Sequence, residues 1–232
     1  MSVAVVIPMF NEAATIADLE RRMPPEVAEP IVVDDGSTDD GPARAAAAGA
    51  RVLSLGRRRG IGAAIRAGLF AARAAGHSVV VVMTASGKDD PAEIPRLLAP
   101  LDEGYDYVQG SRYLPGGSRP NLPLVRGALI KAFTLVFGVL TGFRCTDAAN
   151  GFRAYRLALL DDPRIKLAQD WLDSYELEYY LFWKVLERGY RVREVAVSKT
   201  YPLSRTYSKV RPFIDWWHVA RALLLLALRL RD

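Results

Sequence analysis

Residues 31–39 read Ile31-Val32-Val33-Asp34-Asp35-Gly36-Ser37-Thr38-Asp39. This stretch is a short apolar run that ends in two carboxylates and a glycine turn, which is typical of a buried parallel strand and the loop after it. Similar strand-like runs lie at residues 3–8, 52–55, 79–83 and 107–110, and helical patterns lie between them at 13–22, 42–48 and 60–75. The alternation predicts an α/β fold with a doubly wound, mostly parallel sheet.

Polar residues are concentrated where the predicted strands end. The segments in question follow Ile7, Val33, Met83 and Gly110. In open sheets of this kind, ligands bind outside the carboxyl ends of the strands. The sequence therefore predicts a ligand site at this edge of the sheet.

Length and composition restrict the class of protein. A chain of 232 residues, half of them apolar, can bury one large core. Cys145 is its only cysteine and it has two histidines, so an internal disulfide and a Cys/His zinc site are excluded. The strand-like run at the N-terminus has no basic leader before it, and we expect a cytoplasmic protein.

Positive charge is concentrated at the C-terminus, where residues 191–232 carry nine Lys/Arg against three Asp/Glu. Helical patterns at 124–141 and 212–231 are apolar and carry scattered cations, and 212–231 places Trp and Leu opposite Arg. Such helices suit the surface of an anionic membrane better than nucleic acid. The longest uncharged part of the first, residues 132–143, has 12 residues and predicts no membrane span. We expect a peripheral protein at the inner face of the membrane, with a domain at 1–211 and an amphipathic helix at 212–232.

Six blocks of sequence occur in an order that resembles a known family. They are Pro8-Met9-Phe10-Asn11-Glu12, Val33-Asp34-Asp35-Gly36-Ser37-Thr38-Asp39, Leu55-Gly56-Arg57-Arg58-Arg59-Gly60-Ile61-Gly62, Gly110-Ser111-Arg112-Tyr113, Thr146-Asp147-Ala148-Ala149-Asn150-Gly151-Phe152-Arg153 and Tyr207-Ser208-Lys209. Together they resemble family 2 glycosyltransferases with the GT-A fold, in particular the polyprenyl-phosphate sugar synthases. The resemblance implies a nucleotide-sugar half at about 1–115 and an acceptor half at about 116–211.

The resemblance, together with the chemistry of the side chains, assigns expected roles to individual residues. Those expected to bind the nucleotide sugar are Pro8, Asn11, Glu12, Asp34, Asp35, Gly62 and Ser86. Those expected to bind an acceptor phosphate are Arg126, Arg153, Arg205, Ser208 and Lys209. Those expected to act in catalysis are Arg112, Lys88 and Asp147. Carboxylates at strand ends can accept hydrogen bonds from base and ribose, while arginine suits bidentate contact with phosphate.

The implied reaction inverts the sugar carbon as a nucleoside diphosphate leaves and a lipid-linked phosphate attacks. A phosphate monoester has a second pKa near ~6 and is mostly dianionic at neutral pH, so it requires no general base. A sugar hydroxyl of a surface glycan, the alternative acceptor, would require one, and Asp147 is the candidate.

The sequence departs from the family after the fourth strand. Members usually carry Asp-x-Asp there as ligands of a divalent ion, whereas this chain has Thr84 and Ser86. Asp89, helped by Asp35, could hold Mg²⁺ or Mn²⁺ in a shifted position, which is slightly favoured, or Lys88 could supply the positive charge. A third alternative is a nucleotide-sugar-binding protein with impaired catalysis.

Overall fold

The computed structural model describes residues 1–202 and 214–230. In these residues seven strands form one sheet: β1 Val3–Met9, β2 Val27–Asp34, β3 Arg51–Ser54, β4 Val79–Val82, β5 Tyr107–Ser111, β6 Arg153–Arg156 and β7 Val192–Ala196. Their spatial order is β3-β2-β1-β4-β6-β5-β7. Only the two pairings made by β6 are antiparallel. The predicted α/β fold with a mostly parallel sheet is therefore confirmed.

Helices connect the strands and cover both faces of the sheet. They are α1 Ile16–Arg21, α2 Gly41–Ala47, α3 Ile61–Ala74, α4 Ile94–Asp102, α5 Leu124–Thr141, α6 Glu176–Glu187 and α7 Ile214–Ala227. Adjacent residues of β1 point to opposite faces, so Val6 packs with Leu69 of α3 while Val5 belongs to the core beside Leu97 of α4. A Cβ at Gly68 would lie 2.4 Å from a methyl of Val6, so this glycine lets α3 approach the sheet.

The five strands predicted from the sequence are present; four differ by one residue at one or both ends, whereas β2 begins at Val27, four residues before the predicted run. Two further strands, β6 and β7, were not predicted because their short sequences, RAYR and VREVA, carry charged residues among the apolar ones. Arg153 in β6 is 2% exposed, and polar partners within the fold allow that burial. Short strands with internal ion pairs lack the apolar pattern on which sequence prediction depends.

Helix α5 has the bounds predicted for it and ends at Gly142, which adopts a φ of 72°. Two aromatic rings of α5 pack against rings of α6. The ring centroids of Phe133 and Tyr179 are 4.7 Å apart, and those of Phe137 and Phe182 are 4.8 Å apart. The 18 residues have a mean hydropathy of 1.7 and are 22% buried, so α5 is by length and composition long and apolar enough to cross a membrane. The expectation that this segment is too short was wrong, because it counted only residues between charges.

The predicted C-terminal helix at 212–231 is observed as α7 over Ile214–Ala227 and packs against α6. Its buried side is formed by Ala222, Leu223 and Leu226, whereas Trp217 is 57% exposed. The sequence placed Arg221 on the polar face, but its guanidinium lies 2.7 Å from the buried carboxylate of Glu176. Trp217 and Leu224, two residues of the predicted apolar face, are thus exposed.

Candidate active site

The loops after β1, β2 and β4 lie side by side at the carboxyl edge of the sheet. In the register of the strands, Pro8 is next to Val33 and Met9 is next to Asp34, while β4 lies on the other side of β1. The backbone N–H of Asp35 donates to the carbonyl of Met9 at 2.8 Å. The structure therefore brings together the segments that the sequence assigned to the nucleotide sugar.

Asp34 and Asp35 both organise the loops of this edge. Asp34 accepts a hydrogen bond from the backbone N–H of Ser37 at 2.9 Å, and Asp35 accepts one from the N–H of Arg59 at 2.6 Å. Asp35 also accepts from the N–H of Gly60, just before α3. Asp34 and Asp35 are each about 5% exposed, and the contacts that the structure shows for them hold the loops after β2 and β3 in place. Contact with a nucleotide remains a prediction for both.

Asn11 connects the loops after β1 and β2. It adopts a φ of 52°, a conformation that asparagine tolerates better than most residues. Its side-chain oxygen accepts from the N–H of Thr38 at 2.8 Å, and its own N–H donates to the Ser37 hydroxyl at 2.9 Å. Asn11 thereby shapes the donor edge whether or not it contacts the donor itself.

Gly62 has a packing requirement of its own. A Cβ there would lie 2.1 Å from the carbonyl oxygen of Leu172 and 2.3 Å from that of Ser174. The start of α3 therefore passes directly beneath the backbone of residues 172–174. Any contact between Gly62 and the nucleotide sugar stays a prediction.

The segment after β4 contains an internal ion pair in place of an open carboxylate. Asp89 is 2% exposed, and one of its oxygens lies 2.5 Å from Nζ of Lys199. The other oxygen accepts from the hydroxyl and N–H of Thr84 at 2.9 and 3.1 Å. Burial alone would raise the pKa of Asp89, but the charge and hydrogen bond of Lys199, with the bonds from Thr84, outweigh it and lower that pKa.

These contacts argue against the metal assignment. Lys199 and Thr84 already bond both oxygens of Asp89, and Asp35, its expected helper, is engaged with Arg59 and Gly60. In the ranges 1–202 and 214–230, no cluster of three or more His, Cys, Asp or Glu residues could hold a metal ion. The donor set that a divalent ion needs does not fit this site.

Lys88 lies on the same loop and is half-buried. Burial is the main cause that lowers the pKa of the Lys88 ammonium group, and the nearby cations Lys199 and Arg126 lower it further. Glu12 and Asp89 partly offset these effects, and the resulting pKa is about 8. The structure thus places Glu12 and Arg126 close enough to Lys88 to influence its pKa, although the three residues lie on separate segments of the chain. Ser86 lies on the same loop as Lys88, and its hydroxyl oxygen is 3.1 Å from that of Thr84.

Arg112 and Asp147 form a buried pair beside Tyr201. The guanidinium donates to both oxygens of the carboxylate, at 2.6 and 2.7 Å, and also to the hydroxyl of Tyr201. Burial alone would lower the pKa of Arg112, but the bonds and charge of Asp147 raise it above its ordinary value. Asp147 is 0% exposed, so its geometry suits orientation of Arg112 rather than proton abstraction from a hydroxyl.

Arg153 differs from its predicted role as a phosphate ligand. Its side chain is buried and donates to the hydroxyl of Tyr107 at 2.9 Å and to the backbone carbonyl of Glu178 at 3.1 Å. A further guanidinium nitrogen donates to the carbonyl of Asn150. Because these internal acceptors surround it, the position gives Arg153 a structural role between β6 and α6.

Two further cations lie beside tyrosine rings near the Arg112–Asp147 pair. Arg126 of α5 lies 5.4 Å from the ring centroid of Tyr201, and Arg119 lies 4.3 Å from that of Tyr113. The sequence assigned Arg126 but missed Arg119, Lys199 and Tyr201, because no motif marks them. The predicted residues Arg205, Ser208 and Lys209 lie outside the described residues.

Comparison with known proteins gives the arrangement a family. A family model described as glycosyl transferase family 2 matches residues 4–163, more than half of the chain. The chain belongs to glycosyl transferase family 2. It is accordingly a glycosyltransferase, as the sequence predicted.

Three characterised relatives of this glycosyltransferase cover most of its length. Polyprenol monophosphomannose synthase of Mycolicibacterium smegmatis is 35% identical, over 84% of this chain and 76% of that protein. Undecaprenyl-phosphate mannosyltransferase of Micrococcus luteus is 31% identical, over 85% and 83%. Dolichyl-phosphate hexose transferase of Haloferax volcanii is 30% identical, over 98% and 95%.

Solved structures confirm the GT-A fold of the glycosyltransferase. Glucosyl-3-phosphoglycerate synthase from Mycobacterium tuberculosis, in complex with Mn²⁺, uridine diphosphate and phosphoglyceric acid, has a TM-score of 0.71 and 25% identity, and the match covers 100% of this chain and 80% of that one. The same enzyme was crystallised with Mg²⁺ and uridine diphosphate, with a TM-score of 0.72. The fold thus accommodates a divalent ion in a neighbour, whereas the residues after β4 in this chain do not fit one.

Proposed function

We propose that this glycosyltransferase moves a hexose from a nucleoside-diphosphate sugar to a polyprenyl phosphate, with inversion at the sugar carbon. One observation carries the proposal: α5 places Arg126 beside Lys88 of the donor loop while exposing apolar residues such as Leu135 and Val139 to solvent. A helix that combines these features suits a lipid-linked anion. The names of the three relatives, each of which acts on such an acceptor, support the same substrate class.

The reaction follows from the charges of the two substrates. A lone pair of the acceptor phosphate oxygen forms the new bond to the sugar C1 as the bond from C1 to the diphosphate breaks. The acceptor loses one negative charge, the departing nucleoside diphosphate gains one, and no proton moves. Cations on the leaving-group side therefore stabilise the transition state.

The state of Asp147 distinguishes the two acceptor classes. A sugar hydroxyl must lose a proton, but both oxygens of Asp147 are held by Arg112 within the fold. A polyprenyl phosphate is already dianionic and needs no such base. The geometry thus favours the lipid phosphate over a surface glycan.

We place the protein peripherally at the cytoplasmic face of a membrane, with residues 1–115 forming the donor half and 116–211 the acceptor half. Phe133 and Phe137 hold α5 against α6, so the helix has one side in the fold and the other available to lipid. A helix fixed in this way lies along a membrane surface more readily than across it. The segment 212–232 carries exposed Trp217 and Leu224, which suit the same surface.

The proposal is tested with radiolabelled GDP- and UDP-sugars and liposomes that contain undecaprenyl phosphate. We expect label to appear in the organic extract as an acid-labile glycolipid, only when the lipid phosphate is present. Undecaprenol, which lacks the phosphate, is the matched control acceptor. Transfer only to soluble glycans would contradict the acceptor, and donor binding without any transfer would favour the impaired binding protein.

A further inference from the structure

The segment after β4 has lost the anionic character that a divalent ion requires. Thr84 and Ser86 are neutral, and their hydroxyl oxygens are 3.1 Å apart. The Thr84 hydroxyl also donates a hydrogen bond to a carboxylate oxygen of Asp89 at 2.9 Å. Mg²⁺ and Mn²⁺ are held mainly by carboxylates, with water and substrate phosphates completing the shell. Two hydroxyls therefore cannot replace two carboxylates here.

The nearest carboxylate is neutralised from inside the protein. Lys199 reaches Asp89 from a segment 110 residues further along the chain, and Lys199 Nζ also lies 3.3 Å from the side-chain oxygen of Asn150. A divalent ion at Asp89 would lie next to this ammonium group in a poorly solvated place, where like charges repel strongly. The ion pair thus takes the position that a bound metal would need.

Positive charge is available in the same loop. Lys88 is two residues from Ser86 and lies near Lys199 and Arg126, while Glu12 and Asp89 are the carboxylates that face it. The backbone carbonyl of Lys88 accepts from the N–H of Thr200 at 3.0 Å, which fixes the loop against the segment that carries Lys199. Among the described residues, the cations Lys88, Lys199 and Arg126 outnumber the carboxylates Glu12 and Asp89 where the donor diphosphate is expected.

We propose that Lys88, positioned by the Asp89–Lys199 pair, takes the place of the divalent ion, so that this glycosyltransferase binds and releases its nucleoside diphosphate without a metal. The inference rests on the nucleotide-sugar donor of the proposed function but not on its lipid acceptor. Lys88 contacts the diphosphate and stabilises the charge that it gains on leaving, while Lys199 is a positioning residue that neutralises Asp89.

Isothermal titration calorimetry with GDP and UDP tests the inference without any turnover. For the preferred nucleotide, we expect the Kd in Mn²⁺ and the Kd in EDTA to agree within about twofold, because the site recruits no ion. Electron paramagnetic resonance should show Mn²⁺ no more immobilised by protein plus nucleotide than by nucleotide alone. A Kd that is about tenfold weaker in EDTA, or stoichiometric immobilised Mn²⁺, would overturn the inference.

Substitution of Lys88 tests the replacement cation. Lys88→Met should weaken binding of the nucleoside diphosphate by about tenfold or more, since a charge-assisted contact is lost, but should leave the nucleoside alone unchanged. Lys88→Arg should restore most of the affinity, and Lys166→Met, at an exposed lysine, is the matched control. If Lys88→Met weakens the binding of the diphosphate and of the nucleoside equally, Lys88 has only a structural role and does not replace the metal ion.

The outcomes separate this inference from the proposed function. Metal-dependent binding together with glycolipid synthesis would remove the inference and leave the function. Metal-independent binding without glycolipid synthesis would remove the acceptor and leave the inference. If neither GDP nor UDP binds in any condition, both fail.

Discussion

Lys88 lies among charges of both signs. Because it is half-buried, these charges affect the pKa of its ammonium group more strongly than they would in water. Glu12 and Asp89 favour the ammonium form, whereas burial, Lys199 and Arg126 disfavour it, which lowers the pKa from 10.5 to about 8. The amine is therefore still mostly charged at neutral pH but close to losing its proton. An incoming diphosphate adds negative charge and would draw that proton back.

A pH dependence of donor binding follows from this residue. Since the protonated form binds the diphosphate, affinity should be maintained below the pKa and fall as the pH rises through about 8. The decline should level off at about the tenfold loss expected for Lys88→Met, and it is measured as Kd for GDP or UDP by calorimetry. Lys88→Arg, which stays charged, should remove the decline. A Kd that does not change through this range would show that the Lys88 charge is not used.

At the scale of single elements, α5 has two different sides. Its inner side packs through Ile130, Phe133 and Phe137, while Leu135 and Val139 on the other side are 69% and 74% exposed. A contiguous exposed apolar surface on a soluble fold commonly marks a protein or membrane contact. The cations Arg126 and Lys131 on the same helix suit anionic lipid headgroups.

Substitution of this outward side should separate membrane binding from folding. Leu135→Glu with Val139→Glu should reduce partition onto anionic liposomes by about 100-fold, because two apolar side chains no longer enter the interface and two negative charges are added. The melting temperature should change little, since both positions are exposed. Phe70→Glu, at a 43% exposed residue of α3, is the matched control in the sedimentation assay. Undiminished binding of the α5 variant would exclude this helix as the membrane contact.

For the whole molecule, the sheet joins the two halves of the chain. Strand β6 comes from the later half yet inserts between β4 and β5 of the earlier half. Two buried ion pairs cross the same boundary: Asp89 with Lys199, and Arg112 with Asp147. Donor and acceptor loops are therefore held in one framework, which a transfer between two bound substrates requires.

The pair of Asp89 and Lys199 should contribute to the stability of this framework. Lys199→Met leaves a buried carboxylate uncompensated and should lower the free energy of unfolding by about 3–5 kcal/mol. Adding Asp89→Asn removes that charge, so the double variant should be less destabilised than the sum of the single variants. Urea unfolding of the four proteins of the cycle measures the coupling. Strict additivity would mean that the two side chains do not interact as the structure shows.

The sequence by itself determined the elements whose signals are local. Apolar runs ending in Asp34-Asp35-Gly36 predicted the strands and the binding edge, because parallel strands are buried on both faces and their loops carry ligands. The apolar pattern predicted the bounds of α5, and the structure places Pro123 before the helix and Gly142 after it, two residues with restricted or unusual backbone angles. The substitution of Thr84 and Ser86 for the usual carboxylates was also visible from the sequence alone.

Only the tertiary structure decided what those residues contact. Lys199 neutralises Asp89 from 110 positions away, and Asp147 holds Arg112 from 35 positions away. The charged strand β6 is buried for the same reason, since Arg153 finds its acceptors on β5 and α6. No local pattern encodes such partners, because burial of a charge is tolerated only once the fold has brought its counter-charge and hydrogen bonds into reach.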